Sequence, residues 1–156
     1  MDAFAGEAEQ FDDITMLSLR FNFLGDDESI LMSADLASTE FAWDYINRKT
    51  KKAGLCSKTI SRAQIIVDEI YSNIHQYSSA AKAQILCHID SDRMVLTFKD
   101  DGIPYNPLMN IEPDTSLSVG DREFGGLGIL MVKKMSSDLS YVHENGYNVL
   151  TVTVQL

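Results

Sequence analysis

Cysteine is nearly absent from this 156-residue chain. The two that occur, Cys56 and Cys87, lie in unrelated segments without CxxC spacing, which argues against a disulfide framework or zinc site and points to free thiols. Histidine is scarce as well: His75, His88 and His143 form no HExxH or other ligand spacing. Basic residues are few, 13 against 23 acidic ones, for a formal net charge of -10. That balance disfavours a nucleic-acid backbone or an anionic membrane as a partner and leaves a basic protein surface open. No apolar run approaches the roughly 18 residues of a membrane span. The opening "MDAFAGEAEQ" lacks the basic and apolar parts of a signal peptide, so a cytoplasmic location is expected. Nor does GxxxxGK[ST] occur anywhere, which excludes a P-loop.

What is present is a patterned chain, 45% hydrophobic and 23% charged, sized for one globular domain with a real core. Residues 14–21 and 29–36 read as strands, and "TEFAWDYINRKTKKA" as a helix from Thr39 to about Ala53, with Thr39 as N-cap and Gly54 as the stop. From Lys58 to about Tyr77, Ala63, Ile66, Val67, Ile70, Ile74 and Tyr77 recur at helical spacing and make a core-facing stripe. "AQILCHI" and "RMVLTFKD" alternate like two strands joined at "DSD". A long irregular loop from Gly102 to Phe124 precedes the predicted helix "GLGILMVKKMSSD", and "LSYVHE" and "NVLTVTVQL" then form a hairpin turned at Asn145-Gly146. The expected fold is α+β: a two-layer α/β sandwich, its sheet mixed but mainly antiparallel, with helices on one face. A loop of about 20 residues inside a compact domain is usually functional or disordered.

Three places could carry chemistry. Asp100 continues the period-two face of Met94, Leu96 and Phe98, whereas Asp101 points away and reads as solvated. A carboxylate at the end of a buried face needs hydrogen-bond donors; taken alone, Asp-Gly before Pro also reads as an ordinary turn. Glu69 and Asn73, four apart, fall on one edge of the helical stripe, either as a surface pair or at a cavity. There an Asn oxygen suits Mg²⁺ and a glutamate could take a proton. In "EFGGLGIL" glycines open a helix whose N–H groups and dipole favour phosphate, although a lone GxG is weak.

The order of these pieces, Glu69-x-x-x-Asn73, Asp100-x-Gly102, a long loop, then Gly126-x-Gly128, resembles the Bergerat or GHKL ATP-binding domain of gyrase, Hsp90, histidine kinases and MutL. "DDGIPYNP", "GGLGILMVKKMSSDLSY" and "GYNVLTV" look most like its anti-sigma-factor serine kinase branch, over roughly residues 25–156. The resemblance implies ATP and Mg²⁺ as cofactors, with Asn73 holding the metal against the triphosphate and Glu69 as catalytic base. It implies Asp100 accepting the adenine amino group and Gly102 underlying the ring. Gly126, Leu127 and Gly128 would bind ATP at its phosphates, and residues 106–124 would form the lid. Asn148, in phase with Leu150, Val152 and Val154, stands near where relatives place a threonine that holds adenine through water. Pro104 replaces the second glycine of the usual DxGxG. Arg122 reads either as a γ-phosphate contact or as a solvated lid charge.

Residues 1–21 tell a second story. "GEAEQFDDITMLSLRF" resembles the closing strand of PPM-type serine phosphatases, with Asp12 at the position of an acidic metal ligand. One aspartate makes no two-metal site, so no phosphatase activity is expected. The implied organisation is a leader and phosphatase-like strand at 1–21 and a histidine-kinase-like domain at 22–156, and the strand could pair with another copy as a homodimer. The leading expectation is a serine/threonine-protein kinase acting on a STAS-like anti-sigma-factor antagonist and so on a sigma factor. The alternatives are a nucleotide-dependent anti-sigma binding module without efficient transfer, or a regulatory domain of a phosphatase.

Overall fold

The computed structural model describes residues 29–110 and 126–156. The expectations for the leader, Asp12, the strand at 14–21, Arg122 and most of the lid lie outside the described residues.

Period-two burial builds the sheet. Strands β1 (Ser29–Ser33), β2 (Lys82–Ile89), β3 (Arg93–Asp100), β4 (Asp138–Glu144) and β5 (Tyr147–Gln155) assemble in the order β1-β2-β3-β5-β4. Among the described residues every pairing is antiparallel. Ile85 and Cys87 on β2, Leu96 and Phe98 on β3, and Leu150 and Val152 on β5 are buried on one face, while Thr97 and Thr151 on the other are half-exposed. Helices α1 (Thr39–Lys52), α2 (Ser57–Asn73) and α3 (Gly126–Met135) supply the second layer. The stripe of Ala63, Ile66, Val67 and Ile70 on α2 joins Ile46 of α1, Val132 of α3 and the sheet face in one core. Each fully buried Ile or Val contributes about 1.5–3 kcal/mol. This is the α+β two-layer sandwich expected from the pattern, and no helix among the described residues is long and apolar enough to cross a membrane.

Local chemistry moved several boundaries. β1 stops at Ser33 because Asp35 caps a 3₁₀ turn, its carboxylate accepting from the Ser38 N–H at 2.9 Å. That turn runs directly into α1, so Thr39 is the first helical residue and not the cap; Ser38 precedes it, without a side-chain capping bond. Gly54, at φ +69°, follows the helix as the expected stop. The helix predicted to reach Asp138 ends at Met135, where the Ser137 N–H instead donates to the Thr153 carbonyl at 2.8 Å and starts β4. Asn145 and Gly146 both have positive φ, as a two-residue hairpin turn of the primed type requires.

The change that matters most for the site is at the end of α2. The helix expected to run to Tyr77 is α-helical only to Asn73 and continues as a π-helical turn, Ile74–Ser78, ending in Ser79 at φ +52°. Around it the Tyr71 hydroxyl donates to the Ser33 carbonyl and His75 Nδ1–H to the Ala34 carbonyl at 3.1 Å, tying α2 to the end of β1. Burial, reinforced by the charge of Asp35, raises the Tyr71 phenol to about 12.

Candidate functional site

The α2 C-terminus, the π turn and the ends of β3 and β5 surround a cleft lined by Asn73 and Ile74, by Phe98 and Asp100, and by Asn148 and Leu150, together with Tyr105 and Pro107 of the following loop. Apolar walls with a few converging polar groups are the usual composition of a small-molecule site.

Asp100 ends β3 on the buried face, as its phase predicts, and is only 5% exposed. Its Oδ1 accepts from the Gly102 N–H at 3.0 Å and from Asn148 Nδ2 at 2.9 Å. Among the described residues Oδ2 has no donor, and no fully buried side-chain oxygen or nitrogen lacks a partner. Oδ2 therefore keeps access to the cleft. One oxygen holds the carboxylate in place and the other is presented as an acceptor.

Asn148 pairs with Asp100 across the β3–β5 register. Asn148 is the residue expected near adenine; its Nδ2 donates to Asp100 and, at 2.8 Å, to the Ile103 carbonyl. Its Oδ1 accepts from the Tyr105 N–H at 3.2 Å, the Tyr141 hydroxyl at 2.7 Å and His143 Nδ1–H at 3.1 Å. Three donors on one oxygen fix which way the amide faces. Asn148 thus clamps Asp100 to the start of the loop. Burial raises the phenol of Tyr141 above its ordinary value, and the charge of Asp100 adds to the rise, so this hydroxyl remains a donor.

Gly102 was expected beneath the adenine. The structure places it against the π turn, where a Cβ would lie 2.2 Å from the Ser78 carbonyl oxygen and 2.7 Å from its Oγ. That same carbonyl accepts from the Ile103 N–H at 2.8 Å. The glycine admits backbone from a neighbouring element at a distance no side chain would allow. Asp101 is exposed, in line with its reading as solvated, and it also caps the start of β2: its Oδ1 accepts from the N–H groups of Ala81 and Lys82, each at 2.9 Å.

Asn73 is buried at the end of α2 and lines the cleft. Glu69 sits one turn earlier, half-buried, with its carboxylate against Gly128 in the first turn of α3. Gly126 opens α3, followed by Leu127, as the glycine-rich sequence predicts. The chain therefore brings Asp100, Asn73 and Asn148 into one cleft and Glu69 against the opening turn of α3, with Gly102 against the π turn.

Sequence reasoning missed two parts of the site. Tyr77, expected on the core-facing stripe, is instead exposed and stacks on Tyr105, ring centroids 4.8 Å apart at 19°. Burial and the neighbouring Tyr77 raise the Tyr105 phenol. Tyr141 comes from β4, and nothing local in "LSYVHE" pointed to it.

Residues 32–154 match the family described as histidine kinase-like ATPase domain. The serine/threonine-protein kinase BtrW of Bordetella bronchiseptica is 29% identical over 93 residues, which cover 57% of this chain and 66% of that kinase. The chain thus spans slightly under two thirds of the length of that relative. The histidine kinase AdeS of Acinetobacter baumannii overlays with a TM-score of 0.44 at 18% identity, covering 88% of this chain and 68% of the AdeS chain.

Proposed function

This chain belongs to the histidine kinase-like ATPase domain family, and from that premise we propose that it is an ATP- and Mg²⁺-dependent protein serine kinase of the anti-sigma-factor type. Its substrate is a serine on an anti-sigma-factor antagonist, and its output is control of a sigma factor by partner switching. The observation that carries the nucleotide half of the proposal is Asp100: a buried carboxylate with one oxygen held by the protein and the other turned into an apolar cleft. The exocyclic amino group of adenine is the donor that such an acceptor selects. The kinase half draws support from Glu69, which nucleotide binding alone does not require, and from the name of BtrW.

The donor set suits Mg²⁺. Asn73 lines the cleft and carries one amide oxygen. Such an ion takes one or two protein oxygens and completes its shell with phosphates and waters. Mg²⁺, when bound, neutralises charge developing on the transferred group. Asn73 would hold it; Phe98, Ile74 and Leu150 exclude water from the purine; Asp100 fixes the purine's orientation. The serine oxygen attacks the γ-phosphorus as the bond to the β–γ bridging oxygen breaks, ADP leaves, and Glu69 accepts the hydroxyl proton.

The test is transfer from radiolabelled ATP and Mg²⁺ to a STAS-like antagonist from the same genome. Phosphoserine on the antagonist, lost in Glu69→Gln, supports the kinase. Tight ATP binding with no label transferred refutes it and selects the nucleotide-dependent binding module.

A further inference from the structure

The first turn of α3 contains a contact that a phosphate-binding role does not explain. An ideal Cβ placed on Gly128 would lie 1.9 Å from Oε2 of Glu69, 2.7 Å from its Cδ and 3.4 Å from Oε1. The volume a side chain would fill is occupied by the Glu69 carboxylate, and no backbone atom is among those three neighbours. We infer that Gly128 is a positioning residue for Glu69: its missing side chain sets where the carboxylate rests. The inference rests on the reading of Glu69 as the base.

Physical chemistry separates this role from packing. Real Cβ contacts essentially never fall under 3.0 Å, so an alanine at 128 displaces the carboxylate by about 1 Å, and a misplacement of that size costs about 100-fold in rate. The displaced atoms are the far end of a flexible side chain, so α3 itself need not move. Alanine is also the better helix residue, by about 1 kcal/mol. Gly128→Ala therefore keeps or raises stability while it lowers transfer. A carboxylate beside the first turn of a helix is also well placed for the dipole, which gives Glu69 a reason to rest there.

The experiment is a double-mutant cycle between Gly128→Ala and Glu69→Asp, read by kcat, ATP affinity, thermal midpoint and the side-chain carboxyl carbon resonance of residue 69 in nucleotide-free protein. Expected for Gly128→Ala is a kcat lower by about 100-fold, ATP affinity within about twofold, the signature of an interaction made only in the transition state, and a midpoint no lower than the parent's. The carboxyl resonance shifts. In the Glu69→Asp background, one methylene shorter, the alanine has room and its further effect on kcat vanishes. If Gly128 serves phosphate approach alone, the alanine instead weakens ATP binding equally in both backgrounds and leaves the resonance in place, which overturns the inference. Failure of the base assignment looks different: Glu69→Gln transfers phosphate normally while the resonance still responds to Gly128→Ala.

Discussion

Replacing Asp100 by asparagine inverts one atom of the cleft and little else. The retained oxygen continues to accept from the Gly102 N–H and Asn148 Nδ2, the two bonds that hold the side chain in place. The atom that Oδ2 occupied becomes an NH₂ directed into the cleft. For ATP the consequence is loss of a hydrogen bond to a charged acceptor, worth about 1.5–3 kcal/mol. At 1.4 kcal/mol per decade this weakens ATP binding by about 10- to 150-fold. Inosine triphosphate carries a carbonyl where adenine has its amino group, so it accepts from the new NH₂ and gains on ATP. Isothermal titration of both nucleotides against parent and variant measures the two changes. Because the anchoring bonds survive, the thermal midpoint should move by only a few degrees, about 1 kcal/mol or less for a chain of this size. An Asp100→Asn protein that binds ATP as tightly as the parent, at an unchanged midpoint, refutes the assignment of Asp100 to the purine.

Asn148→Ala removes a side chain that makes five hydrogen bonds, two of them to Asp100 and the Ile103 carbonyl. Leaving such buried groups without partners costs about 1–3 kcal/mol each where water cannot replace the bond, so the urea midpoint falls and ATP affinity falls with it. Gly102→Ala forces a Cβ to within 2.2 Å of a backbone oxygen that cannot swing aside; overpacking of this kind destabilises by about 1–3 kcal/mol, read in the same urea titration. The cysteines should separate by pH. Burial raises the Cys87 thiol to about 11, whereas hydrogen bonding from Thr59 lowers that of exposed Cys56. Iodoacetamide near pH 8 should then label Cys56 in the folded protein, and mass spectrometry should find Cys87 modified only after unfolding; labelling of both at equal rates would contradict the burial of Cys87.

Much of this site was readable because two acids and an amide obey local periods. Asp100 shares a face with Leu96 and Phe98, and Glu69 precedes Asn73 by one turn, so strand and helix geometry put each on its face, while the resemblance supplied the roles. The roles assigned through contact with distant segments were not readable in the same way. Asp101 caps the start of β2 from 19 residues away. Asn148 is in phase with the buried face, as read, but its partners on the loop and on β4 could not be inferred from that phase. The π turn was invisible because Tyr77 keeps the apolar spacing of an α-helix while the backbone beneath it widens.

The glycines make the same point more sharply. Gly102 and Gly128 looked alike as sequence, each a small residue beside a supposed nucleotide. In space one meets the rigid carbonyl of Ser78 and the other the mobile carboxylate of Glu69. A methyl group added at the first must strain the backbone, and at the second it need only push aside a side chain. The same Gly→Ala change is therefore a stability mutation at 102 and a rate mutation at 128. The difference follows from what each α-carbon faces, which spacing within the sequence does not encode.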